Sequence, residues 1–238
     1  MSKIYDALKR AEKERELARE ISRRSVPNGA ALPGPDDQED YGRLRASIRF
    51  VPAPGRLHTI LLTSSNHGEG TTRTAIGLAT ALAAERDTRV LLIEANLRSP
   101  ALAGRLALDG CAGLREYLAG ETTAEALVVK AGGGSFSVIH AGGTATDVNC
   151  DAIGEAVEQL QSQFDFVIVD APPVNRYADT PALAAKMDAV ILVVEADRTP
   201  VVDAENAKRS LDRVGARLFG VVLNRQRSYV PAALESLL

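Results

Sequence analysis

The most informative part of the sequence is the run Thr63-Ser64-Ser65-Asn66-His67-Gly68-Glu69-Gly70-Thr71-Thr72. It follows a short apolar segment typical of a strand and precedes a segment whose apolar residues recur with helical spacing. Gly68 and Gly70 allow successive backbone N–H groups to turn toward one anion, and the amino end of the helix adds a positive dipole. The run therefore predicts a phosphate-binding loop, with the Thr72 hydroxyl placed to bind Mg²⁺. A glycine-rich turn that binds nothing is the plainer alternative.

Two positions of this loop depart from the usual phosphate-loop pattern, GxxxxGK(S/T). Ser65 replaces the first glycine, which is a modest change, and Thr71 stands where the lysine belongs. That lysine contacts the β- and γ-phosphates and offsets charge during phosphoryl transfer. We therefore expect a nucleotide to bind weakly, in contact with Ser65, Gly68, Glu69, Gly70, Thr71 and Thr72.

Two other predicted strands end in polar side chains that suit the same site. The residues concerned are Glu94, Asn96 and Arg98 after Val90–Ile93, and Asp170 after Phe166–Val169. In an open α/β sheet, ligands bind beyond the carboxyl ends of the strands, so these side chains should face the phosphate loop. A carboxylate that ends an all-apolar strand predicts a role for Asp170 in holding Mg²⁺. A turn cap, enforced by the two prolines that follow, is the alternative for this residue.

Short runs that are almost wholly apolar predict six strands: Thr59–Thr63, Val90–Ile93, Phe136–Ile139, Phe166–Val169, Ala189–Val194 and Leu218–Leu223. Strands this apolar are buried on both faces, as in a parallel sheet that helices cover on each side. Helical patterns lie between them, for example at Thr72–Arg86, Ala152–Phe164 and Pro200–Val214. This alternation predicts an α/β domain with a doubly wound, mainly parallel sheet.

The amino-terminal part of the chain has a different character. Residues 1–24 predict one exposed helical arm, because apolar residues recur at helical steps among many charged ones. Residues 25–37 contain three prolines and two glycines, which is typical of a flexible linker. A short helix over Glu39–Phe50 then begins the α/β domain, which we assign to residues 38–238.

Composition limits the classes of function that remain. The 238 residues include 28 Lys and Arg against 31 Asp and Glu, so the chain has no basic excess that would favour nucleic acid. No apolar run approaches the roughly 20 residues that span a bilayer, and the first residues lack a signal-peptide pattern. The widely spaced Cys111 and Cys150 fit small core side chains in a reducing cytoplasm.

The three motifs together resemble those of the bacterial tyrosine-autokinase family of capsular and exopolysaccharide synthesis, whose members are P-loop NTPases. The family's residues are kept at Ser64, Ser65, Gly68, Glu69, Gly70, Thr72, Arg98, Asp170, Pro172, Pro173 and Asp179. The pair Asn224 and Arg225 resembles the strand end that contacts adenine in the family. The likeness extends from about Glu39 to Arg225.

This resemblance implies a set of site residues and partners. The cofactors would be ATP or ADP with Mg²⁺, and the partner an inner-membrane polysaccharide chain-length determinant (co-polymerase) that holds a cytoplasmic protein at the membrane. A homo-oligomer is compatible with it. The implied catalytic residues are Glu94, Asn96, Arg98 and Asp170, the metal ligands are Thr72, Glu94 and Asp170, and Asn224 and Arg225 join the cofactor contacts.

The sequence departs from the family where the chemistry should occur. Besides Thr71, Glu94 replaces the first aspartate of the second motif and Asn96 the second, and an amide cannot act as a general base. The family's assembly motif, Glu-x-x-Arg-x-x-Arg, has Gly42 in place of its middle arginine. The tyrosine-rich tail is reduced to Tyr229.

Three functions follow from this balance of kept and lost residues. The favoured hypothesis is a catalytically weakened or inactive adaptor that works with the membrane chain-length determinant in polysaccharide synthesis and export. The alternative is an active ATP-dependent protein-tyrosine autokinase. A positioning ATPase of the cell-division type is less favoured, because Asn66 stands where those proteins carry a second lysine.

Overall fold

A computed structural model describes residues 35–50, 57–108, 111–143 and 148–226 of the chain. The predicted arm over residues 1–24, the linker up to residue 34 and Tyr229 lie outside these ranges. The strands are β1 (Thr59–Ser64), β2 (Val90–Glu94), β3 (Val129–Ala131), β4 (Phe136–Ile139), β5 (Phe166–Asp170), β6 (Ala189–Glu195) and β7 (Leu218–Asn224). The α-helices are α1 (Pro35–Phe50), α2 (Thr71–Ala83), α3 (Leu102–Leu106), α4 (Leu114–Leu118), α5 (Cys150–Gln161), α6 (Asp179–Ala184) and α7 (Val201–Arg213).

The described strands form one seven-stranded sheet in the order β3-β4-β2-β5-β1-β6-β7. Every neighbouring pair is parallel except β3 and β4, which are antiparallel. The prediction of a doubly wound, mainly parallel sheet is therefore confirmed. The order places β5 between β2 and β1, so the three predicted motifs emerge side by side at one edge of the sheet.

The sheet separates two hydrophobic cores, because successive side chains of a strand point to opposite faces. Leu61 and Ile93 pack on one face with residues of α5, α6 and α7. Ile60 and Leu92 pack on the other with residues of α1, α2 and α3. All four side chains are fully buried, and burying such a side chain stabilises the fold by roughly 1.5–3 kcal/mol.

Several elements differ from the prediction. Helix α1 begins at Pro35 rather than Glu39, within the predicted linker. Proline suits the first position of a helix, where its missing N–H costs nothing. Strand β3 and helices α3, α4 and α6 were not predicted, because elements of three to six residues show too little periodicity.

The cysteines correct another expectation. Cys111 is exposed and Cys150 is only partly buried, so the prediction that both are core side chains is wrong for Cys111. Cys150 begins α5, where its Sγ donates to the carbonyl oxygen of Asp179 at 3.2 Å. Among the described residues, no helix is both long and apolar enough to cross a membrane.

Candidate functional site

The loop between β1 and α2 has the backbone form that the two glycines predict. Gly68 and Gly70 have φ angles of +85° and +96°, in the left-handed region that favours glycine. Gly70 also lacks room for a side chain, since a Cβ there would lie 2.0 Å from Nδ2 of Asn224. The loop is therefore held in a conformation that other residues would adopt only with strain.

This loop carries donors suited to an anion. Within the described part of the chain, the backbone N–H groups of Gly68, Gly70, Thr71 and Thr72 donate no hydrogen bond. The Ser65 side chain is fully buried, and its Oγ likewise has no partner among the described residues. Unpaired amides at a helix amino terminus, beside an unpaired buried hydroxyl, fit a phosphate group.

Glu69 has a different orientation from the one expected of a nucleotide contact. Its side chain is 4% exposed, and Oε2 accepts from the Asn66 amide at 2.9 Å. Oε1 accepts from the Thr199 hydroxyl at 2.6 Å. Glu69 therefore braces the loop from inside, and its carboxylate has no oxygen left without a partner.

Asn224 and Arg225 lie at the carboxyl end of β7, and only Asn224 contacts the loop. Asn224 Nδ2 donates to the carbonyl oxygen of Glu69 at 2.8 Å, so part of its hydrogen-bonding capacity supports the loop. Arg225 has a φ of +57° and pairs with Glu195 at 2.9 Å. Asn224 therefore touches the loop itself, whereas Arg225 is engaged at the outer edge of the sheet.

Asp170 is the strongest candidate for a metal contact. It is fully buried, and neither carboxylate oxygen has a hydrogen-bond partner among the described residues. Burial raises its pKa from the ordinary 3.8 to about 7; the Thr72 hydroxyl opposes the shift and the Glu94 charge adds to it. Thr72 thus lies close enough to act on Asp170, although its hydroxyl falls outside hydrogen-bonding geometry.

These groups fit Mg²⁺ held together with a nucleotide. No group of three or more His, Cys, Asp or Glu side chains among the described residues could hold a metal alone. Mg²⁺ usually takes only one or two protein ligands and completes its shell with phosphates and water. Thr72 and Asp170 would supply these ligands, and the ion would offset charge on the phosphates.

Glu94 lies beside Asp170, but both of its carboxylate oxygens accept hydrogen bonds from backbone amides. Its Oε1 accepts from the amide of Leu102 at 2.8 Å and from that of Ala101. Its Oε2 accepts from the amide of Ala141 at 2.9 Å. This buried carboxylate joins the ends of β2 and β4 to the start of α3, which argues against the metal-ligand role predicted for it.

Asn96 and Arg98 occupy the turn after β2. Asn96 Oδ1 accepts from the Ser99 amide at 3.3 Å, which is a local turn contact. Arg98 donates to Asp179 at 2.6 Å, and its guanidinium lies 4.8 Å from the ring centre of Tyr177. The hydrogen bond to Asp179 raises the Arg98 pKa.

Several contacts to the loop come from residues that no sequence motif indicates. Tyr177 places its hydroxyl 3.3 Å from Nε2 of His67, in the middle of the loop. Asp203 accepts from the Asn66 side chain at 2.9 Å, and Thr199 contacts Glu69. Because these partners lie 110 to 137 residues from the loop, no local pattern could have identified them.

Comparison with known proteins agrees with this geometry. Tyrosine-protein kinase YwqD of Bacillus subtilis is 27% identical over 195 residues, which cover 80% of this chain and 82% of that protein. Tyrosine-protein kinase CpsD of Streptococcus agalactiae is 29% identical over 194 residues, covering 79% and 82%. No protein-family model matches the chain.

Solved structures show the same fold. The VpsO kinase domain matches with a TM-score of 0.71 at 27% identity, over 80% of this chain and 96% of that one. The kinase domain of Escherichia coli tyrosine kinase ETK has a TM-score of 0.74 at 24% identity, over 87% and 83%. The septum site-determining protein MinD from Pyrococcus horikoshii, complexed with Mg-ADP, has a TM-score of 0.62 at 20% identity, over 74% of each chain. Its motifs, relatives and fold agree: the chain is similar to bacterial tyrosine-protein kinases and has a P-loop NTPase fold.

Proposed function

We propose that this protein is a nucleotide-binding adaptor of capsule or exopolysaccharide synthesis, with weak or absent kinase activity. It would bind ATP or ADP with Mg²⁺ at the loop between β1 and α2. Its partner would be the membrane chain-length determinant of the polysaccharide system, which would hold a cytoplasmic protein at the inner membrane. The likeness to bacterial tyrosine-protein kinases supports the pathway, and the residues of the site support the reduced activity.

One observation carries this proposal: the site offers a phosphate several unpaired backbone donors but only one available carboxylate. The amides of Gly68, Gly70, Thr71 and Thr72 and the oxygens of Asp170 have no partners among the described residues. Glu94 is bound to three backbone amides, and Asn96 carries no charge. Thr71 cannot supply the positive charge that stabilises the transferred phosphoryl group.

The active kinase stays the second candidate because of Asp170. It is the carboxylate that would hold Mg²⁺, and neither of its oxygens has a partner among the described residues. The ion would offset charge on the transferred phosphoryl group. The lack of a lysine charge at position 71 would then slow the reaction without abolishing it.

Calorimetric titration with MgADP, run beside a phosphotyrosine blot, separates the two candidates. The adaptor should bind MgADP with a Kd between about 10 μM and 1 mM, or −7 to −4 kcal/mol, and show little phosphotyrosine. Abundant phosphotyrosine that disappears in Asp170→Ala would establish the kinase instead. Absence of any binding at millimolar MgADP would contradict both functions and leave a scaffold without a nucleotide.

The membrane location has its own test. Residues 1–24 contain more Lys and Arg than Asp and Glu, although the whole chain is acidic, and such a segment can contact a membrane partner or acidic lipid headgroups. Fractionation of cells that co-express the chain-length determinant should find the full chain with the membranes. Deletion of residues 1–24 should release it, whereas unchanged membrane association would contradict this role for the segment.

A further inference from the structure

Thr199 lies in the turn between β6 and α7, a segment to which neither the motifs nor the proposed function assigns a role. Its hydroxyl donates to Oε1 of Glu69 at 2.6 Å. The same hydroxyl accepts from the backbone amide of Glu195, the last residue of β6, at 2.9 Å. One side chain therefore connects the end of β6, the neighbour of β1 in the sheet, to the phosphate loop.

The contact matters because Glu69 is almost fully buried. Its second oxygen, Oε2, accepts from the amide of Asn66 at the beginning of the loop. A buried carboxylate is costly unless each oxygen has a donor, so Thr199 fixes the orientation in which Glu69 can also hold Asn66. The hydroxyl acts on the loop backbone through this carboxylate.

A second contact from the same region holds the same residue. Asp203, in the first turn of α7, accepts from Nδ2 of Asn66 at 2.9 Å. Asn66 is therefore held by its backbone through Glu69 and by its side chain through Asp203. The shape of the phosphate loop is set from the β6–α7 turn as well as from its own glycines.

We propose that Thr199 is a positioning residue of the phosphate loop, which acts through Glu69 to keep the loop in its anion-binding form. The inference extends the proposed function, on which it rests for the identity of the ligand. Thr199→Val keeps the shape of the side chain and removes the hydroxyl, so it should leave a buried oxygen of Glu69 without a donor. Thr199→Ser keeps the hydroxyl and should behave as the parent.

Amide hydrogen exchange in the nucleotide-free protein tests the proposal directly. We expect the Asn66 amide to exchange roughly tenfold faster in Thr199→Val, as when one hydrogen bond of ordinary strength is lost, and at the parental rate in Thr199→Ser. Thr80→Val is the matched control, because Thr80 is also partly buried and donates to a backbone oxygen at 2.9 Å within α2. If the Asn66 amide exchanges at the parental rate in Thr199→Val, the proposal is wrong. If Thr199→Val does not fold, Thr199→Ala is measured in its place.

A double-mutant cycle tests whether Thr199 acts through Glu69. MgADP should bind about tenfold more weakly to Thr199→Val, and Glu69→Gln combined with Thr199→Val should bind no more weakly than Glu69→Gln alone. If the two losses multiply instead, Thr199 acts independently of Glu69 and the proposal is wrong. If the parent binds no MgADP, the proposed function fails, and hydrogen exchange alone decides the role of Thr199.

Discussion

Thr71 begins helix α2 at the position where the family carries the lysine that contacts the phosphates. The backbone around it keeps its anion-binding form, because Gly68 and Gly70 hold the left-handed conformations that the loop requires. The loop therefore keeps its anion-binding backbone although it lacks the positive charge of the lysine. A single substitution should restore the charge without rebuilding the loop.

We expect Thr71→Lys to tighten MgADP binding by about 1–3 kcal/mol, as for one charge-assisted hydrogen bond. Asn96→Asp should do little alone, because residues that act as a unit are not additive. Together the two changes should raise ATP hydrolysis or tyrosine transfer by more than the product of their single effects. Calorimetry measures the binding, and a phosphotyrosine assay measures the activity. If the double variant binds MgADP no better than the parent, the loop is blocked, and His67 is the first residue to test as the cause.

A second prediction concerns Glu94, where the family has aspartate. Glu94→Asp restores the family residue but shortens a side chain that accepts from three backbone amides. We expect it to lower the free energy of unfolding by roughly 1.5–3 kcal/mol, the value of one hydrogen bond to a charged group, without improving activity. Urea denaturation measures the loss, with the exposed Glu205→Asp as control. Higher activity at unchanged stability would show that position 94 takes part in catalysis and that aspartate is the better residue there.

At the scale of elements, α1 packs against α2 through a close contact between an aromatic ring and a glycine. A Cβ on Gly77 would lie 2.1 Å from the Tyr41 ring, so α2 needs glycine at this position. Arg45 of α1 donates to the carbonyl oxygen of Ala81 in α2 at 3.2 Å and pairs with Glu85 at 3.5 Å. The last arginine of the family's assembly motif is thus engaged within its own chain.

This packing predicts opposite effects for two glycine substitutions. Gly77→Ala should destabilise the protein by about 1–3 kcal/mol through overpacking, and Tyr41→Ala should relieve much of that loss in the double variant. Gly42→Ala is the matched control in α1, because a Cβ there meets nothing within 4 Å. It should stabilise the helix by roughly 0.5–1 kcal/mol. Thermal denaturation distinguishes the cases, and a neutral Gly77→Ala would mean that α1 docks loosely.

At the scale of the whole molecule, the stability of the nucleotide-free protein should depend on pH through Asp170. Its pKa is about 7 in the folded chain against an ordinary 3.8, so the folded state holds a proton that the unfolded state has lost. The stability that this group contributes should therefore be fully present below about pH 3.8 and be lost as the pH rises to about 7, above which the folded protein must carry a buried charge.

We expect the melting temperature to fall by on the order of 5 °C between pH 5 and pH 8 because of this group. Asp170→Asn should remove most of that fall, since an amide does not titrate. Mg²⁺ with ADP should restore stability mainly at the higher pH, where the carboxylate is charged. A pH dependence identical in the parent and in Asp170→Asn would mean that this carboxyl is not the group responsible.

Local patterns in the chain were enough to predict six of the seven described strands and the three motifs at the carboxyl ends of β1, β2 and β5. Apolar runs such as Val90–Ile93 must be buried on both faces, and a polar residue at the end of such a run can only emerge at the carboxyl edge. The glycines of the loop carry their own conformational requirement. The roles of individual side chains depend on contacts between segments that are separated in the sequence. Glu94 accepts hydrogen bonds from three backbone amides, and Glu69 accepts one from the Thr199 hydroxyl. A carboxylate of given sequence context can bind a metal or an amide equally well, and the choice depends on which donors the packed elements bring within 3 Å.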